Sequence, residues 1–154
     1  MGINILCANI NNSNPITHTI LNDDESPTFS MPNTDIIVIT ELWIRTIHPA
    51  TNEKGTVTHP GWKCHLPHSP IKVARVVVYS QKCSKLKINP MTHTTRGRGD
   101  LITLNIHLPN NAHFSLIAVY NSPSSFSASE HIISSALPNK PIILIGDFNL
   151  HSPD

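Results

Sequence analysis

Two carboxylates stand directly at the ends of strong apolar runs: Glu41 follows Ile36 to Ile39 and Thr40, and Asp147 follows the run 142–146, with Asn149 two residues on. A third run, Ile3 to Ala8 with only Asn4 interrupting, ends at Asn9 and Asn11. A carboxylate at the tip of a buried run is costly unless a cation or a proton compensates it. Oxygen ligands without a cysteine partner suit Mg²⁺ or Mn²⁺ better than zinc. Any one of these residues is also accounted for as a turn or cap residue, because Asp and Asn are common at strand-to-loop junctions. Three run ends of the same design point instead to a shared site.

The elements that hold these ends are short, aliphatic and rich in β-branched residues, which predicts buried strands of an α/β or layered sheet. The run 142–146 reads as fully buried. Strands side by side in one sheet bring their polar ends to one rim, where the sheet holds side chains rigidly beside open loops. About 25 residues separate the first two strands, room for a crossover helix, and "NPITHTILND" offers a short one. Between the Glu41 and Asp147 strands, "KVARVVVYS" (Lys72 to Ser80) predicts a further strand, with "LKINP" as its shorter partner. Leu101 to Leu108 and His113 to Asn121 flank a turn-rich "PNNA" and predict an antiparallel hairpin. Ser127 and Glu130 have capping-box spacing, predicting a helix from about Ala128 to Leu137.

Composition bounds the function classes. The chain has 154 residues, 39% hydrophobic and 14% charged, which suits one domain. Its 13 prolines imply many turns. Seven of the 11 Lys and Arg (Lys72, Arg75, Lys82, Lys85, Lys87, Arg96 and Arg98) fall in a stretch without an acid. Such a segment suits phosphates, or is an ordinary solvated face. Cys7, Cys64 and Cys83 are widely spaced, with no disulfide framework or thiolate zinc pattern, so a reducing compartment is expected. No apolar run approaches the roughly 18 residues of a membrane span, and no signal peptide is evident. Leu6 stands where a myristoylation signal needs Ser or Thr. His65 and His68 beside Cys64 lack a second ligand cluster for zinc, and the Arg98–Gly99–Asp100 tripeptide lacks a secretory context.

"NILCANINNSN", "IIVITELW", "LIAVYNSPSS" and "IILIGDFNLHSPD", in this order, resemble the successive motifs of the endonuclease/exonuclease/phosphatase superfamily, most closely the endonuclease domains of LINE-type retrotransposons of fungal kind. "HPGWKCHLP" and "KVARVVVYS" resemble weaker blocks between the Glu and Tyr motifs. The resemblance implies an α/β fold, a four-layered sandwich of two mixed sheets with outer helices. It implies that Asn9 and Glu41 form the metal-site pair, with Glu41 the direct ligand of Mg²⁺ or Mn²⁺. Tyr120 matches a tyrosine that contacts the scissile phosphate. Asp147 and Asn149 match the pair that orients the attacking water and holds the phosphate. Lys72, Arg96 and Arg98 are then expected to track a DNA backbone.

Family members continue to a late Asp and a terminal Ser-Asp-His motif, which this sequence does not contain, and the two consecutive His that often follow the Asn149 position are His151 and Ser152 here. The expectation is therefore a C-terminally truncated domain over 1–154, exposing part of an apolar strand and inactive by itself. A reverse transcriptase domain is its expected neighbour in the full-length element, with an intracellular and, for a working retroelement, nuclear location. The other readings are a phosphomonoesterase or lipid phosphodiesterase of the same fold, and a non-catalytic remnant. Nothing in the sequence indicates oligomeric state.

Overall fold

The computed structural model describes residues 2–22, 34–67, 73–91, 99–124, 127–135, 137 and 139–149. Lys72, Arg96 and Arg98, with His68 and His151, lie outside the described residues. The elements are β1 (Ile5–Asn9), α1 (Asn14–Leu21), β2 (Ile36–Thr40), β3 (Arg45–His48), β4 (Glu53–Gly55), β5 (Trp62–His65), β6 (Val76–Gln81), β7 (Lys87–Pro90), β8 (Leu101–His107), β9 (His113–Tyr120), α2 (Ser127–Ser134) and β10 (Ile142–Asp147). The chain is α/β, with mixed sheets and mostly strands.

Two four-stranded sheets have the same plan: β1-β2-β6-β5 and β10-β9-β8-β7. In each, one edge pair is parallel (β1 with β2, β10 with β9) and the other pairings are antiparallel. The registers bring Asn9 opposite Thr40 and Asp147 opposite Tyr120. The run ends singled out in the sequence therefore belong to two sheets, not to one.

The central strands bury both faces, because apolar side chains occupy consecutive positions and a strand sends alternate ones to opposite sides. Ile36, Val38, Val76 and Val78 of the first sheet join Ile102, Leu104, Ile106, Leu116 and Ala118 of the second in one core cluster. The intervening residues Ile37, Ile39, Val77 and Tyr79 pack with Ile20 and Leu21 of α1. Ile117 and Val119 of β9 cluster with Ala128 of α2. Helix α1 starts on Ser13, whose hydroxyl accepts the Ile16 N–H at 3.4 Å, with Pro15 in the first turn. Its last turn is tied down by the Trp62 indole N–H donating to the Leu21 carbonyl at 3.1 Å, which satisfies a carbonyl the helix itself leaves open.

Several expectations are corrected. Segment 87–90 pairs with β8 in the second sheet, not with β6. Its only partly buried residue, Ile88, packs against the core cluster shared by both sheets. Strand β6 begins at Val76; just before it, Arg75 N donates to the Gly99 carbonyl and the Arg75 carbonyl accepts Glu41 N. Helix α2 stops at Ser134, with Leu137 outside it. The run 142–146 is not fully buried: Ile143 is 36% and Leu144 44% exposed, since β10 has β9 on one side only among the described residues. The β3–β4 hairpin and β5 have no apolar run to announce them; β3 is exposed along its whole length.

Candidate active site

Asn9 is the last residue of β1. Its Oδ1 accepts the Asn11 backbone N–H at 2.9 Å, and Asn11 and Asn12 follow in left-handed conformation (φ 46° and 58°), turning the chain towards α1. Asn tolerates this region because its short side chain bonds locally to the backbone. The other end of the Asn9 amide crosses to the second sheet, where Nδ2 donates to Asp147 Oδ2 at 2.8 Å.

Glu41, one residue beyond β2, also has positive φ (50°). That conformation costs a residue with a Cβ about 1–2 kcal/mol, and persists where the surroundings over-determine it. Three contacts do so: Glu41 N donates to the Arg75 carbonyl at 2.9 Å, its own carbonyl accepts Asn12 N–H at 2.6 Å, and Oε1 accepts the Tyr120 hydroxyl at 2.7 Å. The left-handed turn lets the carboxylate at the end of one sheet meet the phenol at the end of the other.

Tyr120 closes β9 and is 2% exposed. Burial, and then the hydrogen bond to Glu41, push its hydroxyl above the ordinary tyrosine range, with the Arg75 charge opposing them. The phenol thus acts as a donor rather than a base. Arg75 Nη2 donates to the same hydroxyl at 2.9 Å, and the guanidinium lies over the ring, 4.6 Å from its centroid.

Asp147 ends β10. Its Oδ2 accepts Asn9 and its Oδ1 accepts the Asn149 backbone N–H at 3.1 Å. Asn149 has φ 44°, and its amide Nδ2 donates to the Asn121 carbonyl. Gly146, just before Asp147, has φ 146°, and a Cβ there would run into the Val119 backbone carbonyl. Only glycine lets β10 lie this close to β9 at the turn into the site. On β1, desolvation and then the nearby Asp147 charge raise the Cys7 thiol above its ordinary range.

All five residues expected at the site, Asn9, Glu41, Tyr120, Asp147 and Asn149, therefore sit at one rim, joined across the sheets by Asn9–Asp147 and Tyr120–Glu41. Two further residues belong to this constellation. Arg75 had been noted only for its charge. Asn121, 1% exposed, holds the Asp-Phe-Asn turn to α2: its Nδ2 donates to the Phe148 carbonyl at 2.9 Å and the Ser129 hydroxyl at 2.6 Å, and its Oδ1 accepts Ser129 N–H at 3.2 Å. Its place directly after Tyr120 in "YNSPSS" was the available signal. A pocket of about 320 Å³ opens beside Tyr120, lined by Val73, Arg75, Gly99, Asp100, Ser122 and Ser127.

The donors at the rim are carboxylate and amide oxygens. Among the described residues no three His, Cys, Asp or Glu side chains gather as a metal cage, and Glu41 Oε2 takes no hydrogen bond. One carboxylate, an amide and water fit a magnesium-type ion, which keeps much of its hydration and completes its shell with substrate phosphate.

No protein-family model matches the chain, and no curated protein matches its sequence. Among solved structures it is similar to the endonuclease domain of TRAS1, a telomere-specific non-LTR retrotransposon, with a TM-score of 0.69 and 15% identity, over 97% of this chain and 62% of that one. The chain spans less than two thirds of that domain's length. No helix among the described residues is long and apolar enough to cross a membrane. The alignment of nearly the whole chain shows that it has the α/β fold seen in that endonuclease domain.

Proposed function

We propose that this chain is part of a metal-dependent DNA endonuclease of retroelement type, working at the Glu41–Asp147 rim. The observation that carries the reading is the pair of contacts between sheets, Asn9 to Asp147 and Tyr120 to Glu41, which gather these four side chains in one place and support the roles given to them here. A four-layered sandwich is supported by α1 packing on one sheet and α2 on the other, away from the core they share.

In this reading Glu41, with the Asn9 amide nearby, holds Mg²⁺ or Mn²⁺, which supplies Lewis-acid polarisation of a phosphoryl oxygen. Tyr120, whose hydroxyl proton goes to Glu41 Oε1 in the free chain, turns that hydrogen bond to a non-bridging phosphate oxygen, where negative charge develops during attack. Asp147, aimed by Asn9 and by the Asn149 backbone N–H, accepts a proton from the attacking water as the new P–O bond forms and the opposite P–O bond breaks. The Asn149 amide holds the phosphate. Lys72, Arg96 and Arg98 track the DNA backbone, and a reverse transcriptase domain and nuclear location accompany the full-length element.

Because the chain spans 62% of the TRAS1 domain, turnover is expected to need the remaining part. The test is nicking of supercoiled plasmid with Mg²⁺ by the chain and by a version extended with the corresponding remainder of the TRAS1 domain. The extended protein should nick, and Asp147→Ala should reduce its rate by about 10²-fold or more. An extended protein that folds and leaves the plasmid intact, or one that nicks equally well with Asp147→Ala, overturns the reading.

A further inference from the structure

Arg75 is the cation whose chemistry the reading above leaves unused. It is half-buried, yet among the described residues its guanidinium makes no ion pair, and its buried Nε has no hydrogen-bond partner. A desolvated charge is ordinarily paired. Among the described residues the Arg75 side chain's one hydrogen bond goes to the neutral Tyr120 hydroxyl, and its one ring contact is with the same residue. The backbone cannot swing it elsewhere: Arg75 N donates to the Gly99 carbonyl at 2.6 Å, and its carbonyl accepts Glu41 N. Arg75 is thus held from both sides against a pocket that opens next to the phenol.

What would satisfy such a group is an anion. Arg presents several N–H donors in a planar fork that matches the oxygens of a phosphate. The pocket also contains Asp100, whose Oδ2 accepts the Ser127 hydroxyl at 3.4 Å, so its charge opposes an anion and limits affinity. The Ser122 hydroxyl shares a hydrogen bond with Ser124 at 3.1 Å, and among the described lining residues Arg75 is the cation.

We propose that Arg75 is a substrate-binding residue whose guanidinium takes a non-bridging oxygen of a nucleic-acid phosphate seated in the pocket beside Tyr120. The inference rests on the nucleic-acid reading of the site but not on its metal. Arg75 and the phenol then form adjoining donors, one charged and one neutral, reaching across the boundary between the two sheets.

The test is fluorescence anisotropy of the chain with a fluorescein-labelled DNA duplex, titrated over a range of salt concentrations in EDTA. Arg75→Gln should weaken binding about tenfold and lower the slope of log K against log salt by about 0.9, the loss of one phosphate contact. Arg75→Lys should keep the slope. Lys87→Gln, at the opposite end of β8, should change neither. Arg75→Gln with wild-type affinity and slope, or an equal loss in Lys87→Gln, overturns the proposal, as does a wild type that fails to bind the duplex. Should the Arg75 variants unfold by circular dichroism, the side-chain Nε–H resonance of Arg75 in the wild type decides: it should shift when the duplex is added, and an unchanged resonance overturns the proposal. Arg75-dependent DNA binding in an extended protein that does not nick would sink the nuclease reading and leave this one standing.

Discussion

Asn9 and Asp147, 138 residues apart in the chain, meet across two sheets through a 2.8 Å hydrogen bond from amide to carboxylate. The bond does two things at once: it joins the edges of the sheets and it orients a carboxylate that a parallel strand has carried to the rim. Replacing Asn9 by Asp places two carboxylates in that contact. Asn9→Asp should be less stable than wild type at pH 7 by about 1–3 kcal/mol, and the deficit should shrink as pH falls and one carboxyl takes a proton. Urea unfolding at pH 7 and pH 5 measures both; a deficit independent of pH sinks the account.

Metal binding depends on Glu41. Mn²⁺ titration followed by electron paramagnetic resonance should show weak binding to the wild-type chain and none to Glu41→Ala. Glu53→Ala, on β4, should bind as wild type does. Coincident curves for wild type and Glu41→Ala would remove Glu41 from the site.

Gly146 is a steric requirement. Gly146→Ala meets both the positive φ and the Val119 carbonyl, and should cost about 3 kcal/mol, lowering Tm by about 6–12 °C. A thermal melt within a degree of wild type would show that β9 and β10 approach less closely than the structure has them.

Stability should respond to pH through His65. Burial first, and the Lys63 charge second, lower its pKa to about 4, and its Nε2 lies 2.9 Å from the Ser80 hydroxyl. The folded state holds the ring neutral where the unfolded chain, with an ordinary pKa near 6.5, already binds a proton. The folding free energy contributed by neutral His65 is therefore complete above about pH 6.5 and is lost as pH falls towards 4. Denaturation midpoints of wild type should fall across that window more steeply than those of His65→Gln; parallel curves would contradict it.

Ile143 and Leu144 of β10 are exposed, and among the described residues the strand has a neighbour on one side only, so self-association is expected, since a free strand edge templates further pairing. Light scattering during size-exclusion chromatography should show association at about 10–100 µM and less of it in Leu144→Lys. A wild type monomeric throughout that range contradicts the expectation.

Much of the scaffold was legible locally. Continuous burial of β2, β6, β8 and β9 on both faces follows from consecutive β-branched and aliphatic residues, and the hairpin of β8 and β9 follows from its polar turn. The Gly-Asp-Phe-Asn end of β10 was legible as a motif, whereas the positive φ of Gly146 and its approach to the Val119 carbonyl came from the structure. The β3–β4 hairpin was not legible, since its exposed residues carry no hydrophobic period. The place of β7 was equally hidden: four residues with one partly buried side chain pair equally well with either sheet until their neighbours are known.

The sequence by itself determined which side chains end the apolar runs, because the change from apolar to polar is a property of neighbouring residues. Only the tertiary structure decided that Asn9 and Glu41 belong to one sheet and Tyr120 and Asp147 to the other, and that Arg75 and Asn121 complete the rim. Those placements depend on strand register and on contacts between residues far apart in the chain, where a hydrogen bond of under 3 Å is set by how two sheets pack and not by any pattern along either strand.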